Sequence, residues 1–175
     1  QPIIESSYER LLDIMQEQFA TNDFMLGDRP GRGDFGIYGQ FTQLVKWDPT
    51  SMAVAAKRAI KTVNWTDRMD DLSWLPVDGD SGWVTLEDLP AATRKLLAEI
   101  GSTYAPFMVA NAQALMSGAD EAVCEIHGQT YRQGPFAYQG KCLKWLRDDY
   151  AALSDADRLR VDAALDGTGC EVLFT

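Results

Sequence analysis

Between Phe35 and Trp47 the chain carries a single charge, Lys46, and the stretch is bounded by Pro30-Gly31 on one side and Asp48-Pro49 on the other. So few charges suggest a helix that is largely apolar around its whole circumference, and such a helix belongs in the interior of a domain. The pattern predicts a central, buried helix from about Gly31 to Trp47, with Gly36 and Gly39 leaving room for neighbouring backbones and Asp48-Pro49 stopping it. The rest of the chain must then supply its cover.

That cover reads as further helices. Ile4, Tyr8, Leu11, Leu12, Met15 and Phe19 recur at steps of three and four, with Glu5, Glu9, Asp13 and Glu17 on other faces, which predicts an amphipathic helix over 3–20. A polar, breaker-rich connection follows from Thr21 to Pro30. After Pro49, Thr50 or Ser51 is the expected cap of a third helix, whose Met52, Ala56, Ala59, Ile60, Val63 and Met69 make one stripe ending near Leu72. Residues 73–89 are turn-rich, with Pro76, Asp78-Gly79-Asp80 and Ser81-Gly82, and Trp74, Leu75, Trp83 and Val84 are expected to anchor them to the core. Residues 90–117 are periodic again, and Gly101 and Pro106 imply a kink or break.

The period then changes from 3.6 to 2. Residues 122–126 and 129–133 flank His127-Gly128 as a short β-hairpin would, and a two-stranded ribbon must lie on helices to be stable. A helix resumes over 136–153, and Ser154-Asp155-Ala156-Asp157 resembles a capping box opening a last helix that Gly167 closes. The expected fold is all-α: a helical bundle forming a single domain over 1–175, with 1–75 as its core and 76–175 as an extension carrying one small β-hairpin near 122–133.

Composition narrows the partners. The length of 175 residues, 46% of them hydrophobic, suits one ordinary domain with a real core. Twenty-six acidic against sixteen basic residues give a net charge of -10, so nucleic acid and an anionic membrane surface are both unfavourable partners. No run of about eighteen apolar residues occurs, and the first residues lack the basic and apolar regions of a signal peptide. The three cysteines, Cys124, Cys142 and Cys170, are odd in number and widely spaced, which fits free thiols in a reducing cytoplasm. Helical periodicity starting almost at Gln1 suggests a piece cut from a longer protein.

Several short patterns resemble chemistry by letter only. Gly31-Arg32-Gly33-Asp34-Phe35-Gly36 matches G-x-G-x-x-G, but a dinucleotide site needs a preceding strand, and Asp28-Arg29-Pro30 is not one. Arg32-Gly33-Asp34 spells an adhesion tripeptide, which would require an exposed extracellular loop. Asp78-Gly79-Asp80-Ser81-Gly82 fails as a calcium loop, because Trp83 falls where its glycine belongs and Leu89 where its glutamate belongs. Asn64-Trp65-Thr66 is a glycosylation sequon inside a predicted helix. His127, the only histidine, sits in the predicted turn with no carboxylate or cysteine at metal-ligand spacing, and the cysteines have no zinc spacing. No metal site, bound cofactor or catalytic residue is expected in this chain.

A helix start accounts for more of the glycine-rich stretch. With Gly31 as N-cap, Asp34 falls at N3, where its carboxylate can accept from the N-cap amide and meets the positive end of the helix dipole. Glycine brings no acceptor of its own, so Asp34 carries most of the cap. Among the aromatics, Tyr38 and Tyr104 stand out as candidate substrate-pocket residues, since each hydroxyl lies on a mostly apolar helix and needs a partner.

An amphipathic helix, the loop Leu26-Gly27-Asp28-Arg29-Pro30, a capped helix opening Gly31-Arg32-Gly33-Asp34-Phe35-Gly36, and a third helix ending Trp65-Thr66-Asp67-Arg68-Met69 follow in that order. Over residues 3–72 this order resembles the C-terminal helical domain of glutathione transferases, where a small hydroxyl residue caps the central helix, an aspartate follows three positions later, and W-x-x-R-M ends the next helix. Asp34, Trp65, Arg68 and Met69 match, while Gly31 replaces the capping Ser or Thr. Residues 76–175 are similar only loosely, to long extensions in some bacterial members. The resemblance implies a two-domain enzyme in which a thioredoxin-like N-terminal domain, absent from this sequence, binds glutathione and activates its thiol. It also implies that the long helix which often takes part in dimerisation would precede Gln1, and that this chain supplies only the wall of the electrophile pocket. The rival expectation is a non-catalytic interaction module of the same fold, since such helical domains also serve as docking units.

Overall fold

Leu12, Met15 and Gln18 fall on one face of the first periodic stretch and are fully buried, which is why that stretch settles as one long helix, α1 (Pro2–Thr21). The structure, a computed structural model, describes residues 2–76, 79 and 81–175. Its helices continue with α2 (Arg32–Leu44), α3 (Pro49–Arg58), α4 (Ile60–Asp70) and α5 (Ala91–Glu99). A π-helical turn (Ile100–Tyr104) leads into α6 (Ala105–Ser117), followed by strands β1 (Ala122–Ile126) and β2 (Gln129–Gln133). The chain then forms α7 (Ala137–Ala151), α8 (Asp155–Leu165) and a 3-10 turn (Cys170–Leu173). The protein is thus mostly helical with one antiparallel hairpin.

Two compact units divide the chain within α5, one spanning Pro2–Lys95 and the other Leu96–Thr175. In the first, α1 packs on α3 and α4, and α2 packs on α4. Thr62, Trp65, Thr66 and Met69 form the buried face of α4 at helical spacing. Trp65 is its centre, stacked on Phe19 with centroids 4.6 Å apart and met edge-on by Phe41 at 6.1 Å.

Three sequence expectations for this unit are corrected. The helix after Gly31 is neither as long nor as buried as its composition suggests: it ends at Leu44, only Asp34 and Phe41 are buried along it, and Phe35 is 52% exposed. A Cβ placed on Gly33, Gly36 or Gly39 would meet nothing within 4 Å, so these glycines do not admit a neighbouring backbone within the chain. Apolar composition sets a preference for burial, but burial needs a partner surface, and only one face of α2 has one here.

The third predicted helix is two helices. Asp48, not Thr50 or Ser51, is the N-cap of α3, and its carboxylate accepts from the amides of Thr50 and Ser51 at 3.0 and 2.9 Å. Asp48-Pro49 therefore starts a helix, proline being suited to the first turn, where its missing N–H is not needed. The break falls at Ala59 (φ -142°, ψ 57°), and the Gln16 side chain from α1 accepts from the Lys61 amide at 2.8 Å, satisfying a donor at the new N-terminus. The break turns the buried face: Met52 and Ile60, expected on the apolar stripe, are 40% and 54% exposed, while Ala55 and Ala59 are buried.

The third correction concerns the turn-rich connection. Trp74 and Trp83 are half-exposed and do not anchor it in the core. Backbone pairing does so instead: the Asp28 amide donates to the Gly82 carbonyl at 2.8 Å and the Val84 amide to the Leu26 carbonyl at 2.9 Å. Gly27 (φ 118°) permits this approach, because a Cβ there would strike the Gly82 carbonyl. Asp78 and Asp80 of the calcium-loop pattern lie outside the described residues.

In the second unit α6 is the hub, packing on β1, α7 and the 3-10 turn. Ala105, Met108, Leu143, Cys170 and Leu173 form its buried core. The break implied by Gly101 and Pro106 is the π turn, with Pro106 in the first turn of α6. Gly101 is essential to the packing, since a Cβ there would lie 2.8 Å from the Gly169 Cα and closer still to the Thr168 carbonyl oxygen. The hairpin pairs Ala122 with Gln133 through Ile126 with Gln129, and His127 (φ 49°) and Gly128 (φ 72°) are both left-handed, as a type I′ turn requires. Ser154 caps α8 by accepting from the Asp157 amide at 3.1 Å.

Candidate functional site

Asp34 is 1% exposed at the start of α2. One carboxylate oxygen accepts from the Gly31 amide at 2.8 Å, the helix-start bond expected at N3, and the other accepts from the Met25 amide at 2.9 Å. The second bond reaches back into the preceding loop, so one side chain closes the helix end and fixes the path by which the chain arrives there. Burial pushes the Asp34 carboxyl above its ordinary pKa, against the opposing pull of the amides of Gly31, Met25 and Asp34 itself. Around it, buried Gln18 donates to the carbonyls of Phe24 and Met25, both at 3.1 Å, and Thr93 donates to the Gln18 side chain at 3.0 Å.

Glycine at the cap has a local reason. The Trp83 ring lies over Gly31, so that a Cβ there would stand 3.3 Å from Cζ3, a tight contact for a serine or threonine. Arg29 covers the same ring, its guanidinium 5.5 Å from the centroid. Among the other residues that carry the resemblance, Trp65 and Met69 are core, and Arg68 pairs with Asp23 in the turn after α1.

Tyr38 and Tyr104 belong to different units. Tyr38 donates its hydroxyl to the Asp70 carboxylate at a cleft of about 340 Å³, where Thr42, Thr66 and the ion pair of Lys46 with Asp67 also lie. That hydrogen bond to a carboxylate raises the phenol's pKa, so Tyr38 is held as a neutral donor. Tyr104, at the end of the π turn, is 45% exposed beside Phe107, and burial of its hydroxyl region raises its pKa as well. Both shifts are upward, so neither hydroxyl is activated as a phenolate.

A larger cleft, about 560 Å³, opens between the first half of α1, the end of α2 and the start of α3. Tyr8, Leu44 and Val54 give it an apolar wall, and Glu5, Glu9 and Asp48 give it carboxylates. The Tyr8 hydroxyl lies 3.2 Å from the carbonyls of both Leu44 and Ser51, which share its single proton. Its pKa is pushed up to about 12, first by burial and then by the negative charge of Asp48. Sequence reading placed Tyr8 only on a core stripe; the cleft is assembled from three helices, and no local motif announces it.

The remaining chemistry-bearing groups are not gathered. His127 stands 4.0 Å from the carboxylate of Glu99 at the hairpin turn. Cys170 is buried with its thiol directed at the Leu97 carbonyl, and burial raises the pKa of both Cys170 and Cys124, which keeps them as thiols. Among the described residues no group of three His, Cys, Asp or Glu side chains could hold a metal ion, and no helix is long and apolar enough to cross a membrane. Comparison of the chain with protein-family models, with curated proteins and with solved structures finds no match.

Proposed function

We propose that the chain is the electrophile-side helical half of a glutathione-transferase-like protein, catalytically incomplete alone, with a thioredoxin-like domain needed to bind glutathione and lower its thiol pKa. The observation that carries this reading is the Asp34 carboxylate, which ties the Gly31 helix start to the Met25 amide, just ahead of the Leu26–Pro30 loop, in the motif order of that family. Two further features support it. The open glycine face of α2 and the half-exposed Phe35 offer an apolar surface suited to cover by another domain. Burial raises the pKa of the Cys124 and Cys170 thiols, and the Asp70 carboxylate raises that of the Tyr38 phenol, so none of these three groups is set up to form or stabilise a thiolate at neutral pH.

Glutathione would then be a co-substrate held by the partner domain, and a homodimer is the assembly that the resemblance suggests. The three free cysteines favour the cytoplasm as its compartment. Tyr38 and Tyr104 are the candidate wall residues for the electrophile. A second reading, a non-catalytic interaction module of the same fold, is favoured by the exposed run of Phe136, Tyr138 and Trp145 together with the acidic charge.

Expression of the natural reading frame around this chain separates the two. The transferase reading expects the longer protein to conjugate glutathione to an aryl halide and this chain alone to leave the reagent at its uncatalysed rate. Enzyme-like conjugation by the chain alone would overturn the claim that it is incomplete. A longer protein that neither binds glutathione nor conjugates it would leave the docking module as the better account.

A further inference from the structure

Over residues 137–147 α7 carries Lys141, Lys144 and Arg147 and no carboxylate, and its N-terminus has neither a side-chain cap nor an acid in the first turn. In a chain of net charge -10 this stretch is a positive strip. Aromatic side chains share it. Phe136, Tyr138 and Trp145 are half-exposed, with Tyr138 edge-on to Trp145 at 6.3 Å and tilted against Phe136 at 6.4 Å. They are held in place: buried Asn111 accepts from the Phe136 amide at 2.8 Å and donates to its carbonyl at 3.1 Å. Lys144 pairs with Asp148 and Arg147 donates to the Leu173 carbonyl, whereas the Lys141 ammonium stands 5.6 Å from the Trp145 ring centroid and has no carboxylate partner among the described residues. Fixed, exposed aromatics beside such a cation have the make-up of an interface centre.

The complement lies on α8. Asp155, Leu159, Asp162 and Asp166 recur at steps of four, three and four, which lines them up along one face of the helix and its C-cap. Leu159 is 70% exposed in the middle of that line. Asp162 receives the Tyr150 hydroxyl at 2.6 Å, but Asp155 and Asp166 make no ion pair or side-chain hydrogen bond among the described residues. We propose that a second copy of this chain covers α7, the Leu159 ridge of one copy seating against Tyr138, Lys141 and Trp145 of the other. Charge selects an antiparallel alignment. With Leu159 opposite Lys141, Asp155 comes beside Trp145 within reach of Lys141, and Asp166 reaches the uncapped N-terminus of α7. A parallel alignment would lay Asp166 beside Asp148. Because the contact joins unlike faces, a closed pair forms it twice, once in each direction. It goes beyond both readings of the function, and its failure would leave glutathione conjugation by a longer protein untouched.

Sedimentation velocity of the whole chain over a range of concentrations tests it. A dimer is expected that weakens with added salt, and Trp145 fluorescence should shift as the ring is covered. Lys141→Glu and Asp155→Lys should each weaken association by about ten-fold or more, since each sets like charges together in both contacts of the pair. Mixing those two variants should restore it, because both contacts of the mixed pair then join opposite charges. Leu159→Ser should leave a monomer, and at so exposed a position it keeps the test if Asp155→Lys does not fold. A chain that stays monomeric at every concentration would overturn the proposal. So would a dimer indifferent to Lys141→Glu or Leu159→Ser, or two folded charge variants that do not recover association when mixed.

Discussion

Asp34 and Met25, nine residues apart, are joined by a hydrogen bond of 2.9 Å from the Met25 amide to a carboxylate oxygen that also belongs to the cap of α2. Removal of that side chain therefore costs more than a helix cap. Asp34→Ala leaves the buried Met25 amide without its acceptor, and the expected loss is about 2–4 kcal/mol, a cap plus a stranded buried donor. Asp34→Asn, which keeps one acceptor oxygen, should fall between. Urea unfolding measures both, and a loss below about 0.5 kcal/mol for alanine would show that the loop bond contributes nothing.

Tyr8 gives the fold an alkaline limit. Its pKa is about 12 in the folded protein against 10.0 for the free side chain. The unfolded chain therefore releases this proton first as pH rises. Stability from keeping the phenol neutral is fully present below the unfolded value and is lost as pH climbs through the folded one. The melting temperature should fall between about pH 10 and about pH 12, and Tyr8→Phe should flatten that part of the profile. Absorbance titration of the tyrosinates checks the same point: the variant should lose one late-titrating phenol.

Gly101 leaves no room for a methyl group. Its Cβ would lie 2.7 Å from the Gly169 carbonyl carbon, and backbone cannot swing aside as a side-chain tip can. Gly101→Ala should destabilise by about 1–3 kcal/mol or more, as overpacking does, despite alanine's better helix propensity. Thermal unfolding decides the sign; a gain would mean that the π turn relaxes freely.

The hairpin turn can be improved. His127 adopts φ 49°, a left-handed conformation that asparagine tolerates better, and Asn-Gly is the preferred type I′ pair. His127→Asn should stabilise by about 0.5 kcal/mol, with slower hydrogen exchange at β1 and β2. Unchanged exchange would place the weak point of the ribbon away from its turn.

How much of this was legible in the sequence depends on how local each cause is. The hairpin, its register and the caps at Asp34 and Ser154 were readable because a few consecutive residues determine them. The break at Ala59 was not, since no glycine or proline marks it and the group that satisfies Lys61 comes from Gln16, on another helix. The exposure of α2 was illegible for a different reason: apolar residues state what a helix prefers, and the available partner surface is a property of the assembled chain. The cleft at Tyr8 draws on residues near 5, 44 and 54 and has no pattern of its own. Tyr38 was rightly expected to need a hydroxyl partner, but nothing in its neighbourhood of sequence pointed to Asp70.

The ties of α1 have a consequence for the order in which the chain can fold. Asp13 waits for Arg58, 45 residues later, and Glu17 for Lys95, 78 residues later. Gln18 waits for Thr93. During synthesis the first helix emerges well before these partners, carrying an apolar face with nothing to lie against. It is made well before α3, α4 and α5 and fastened only when they arrive, so the long interval before α5 appears is when this part of the chain is most open to chaperones and to aggregation.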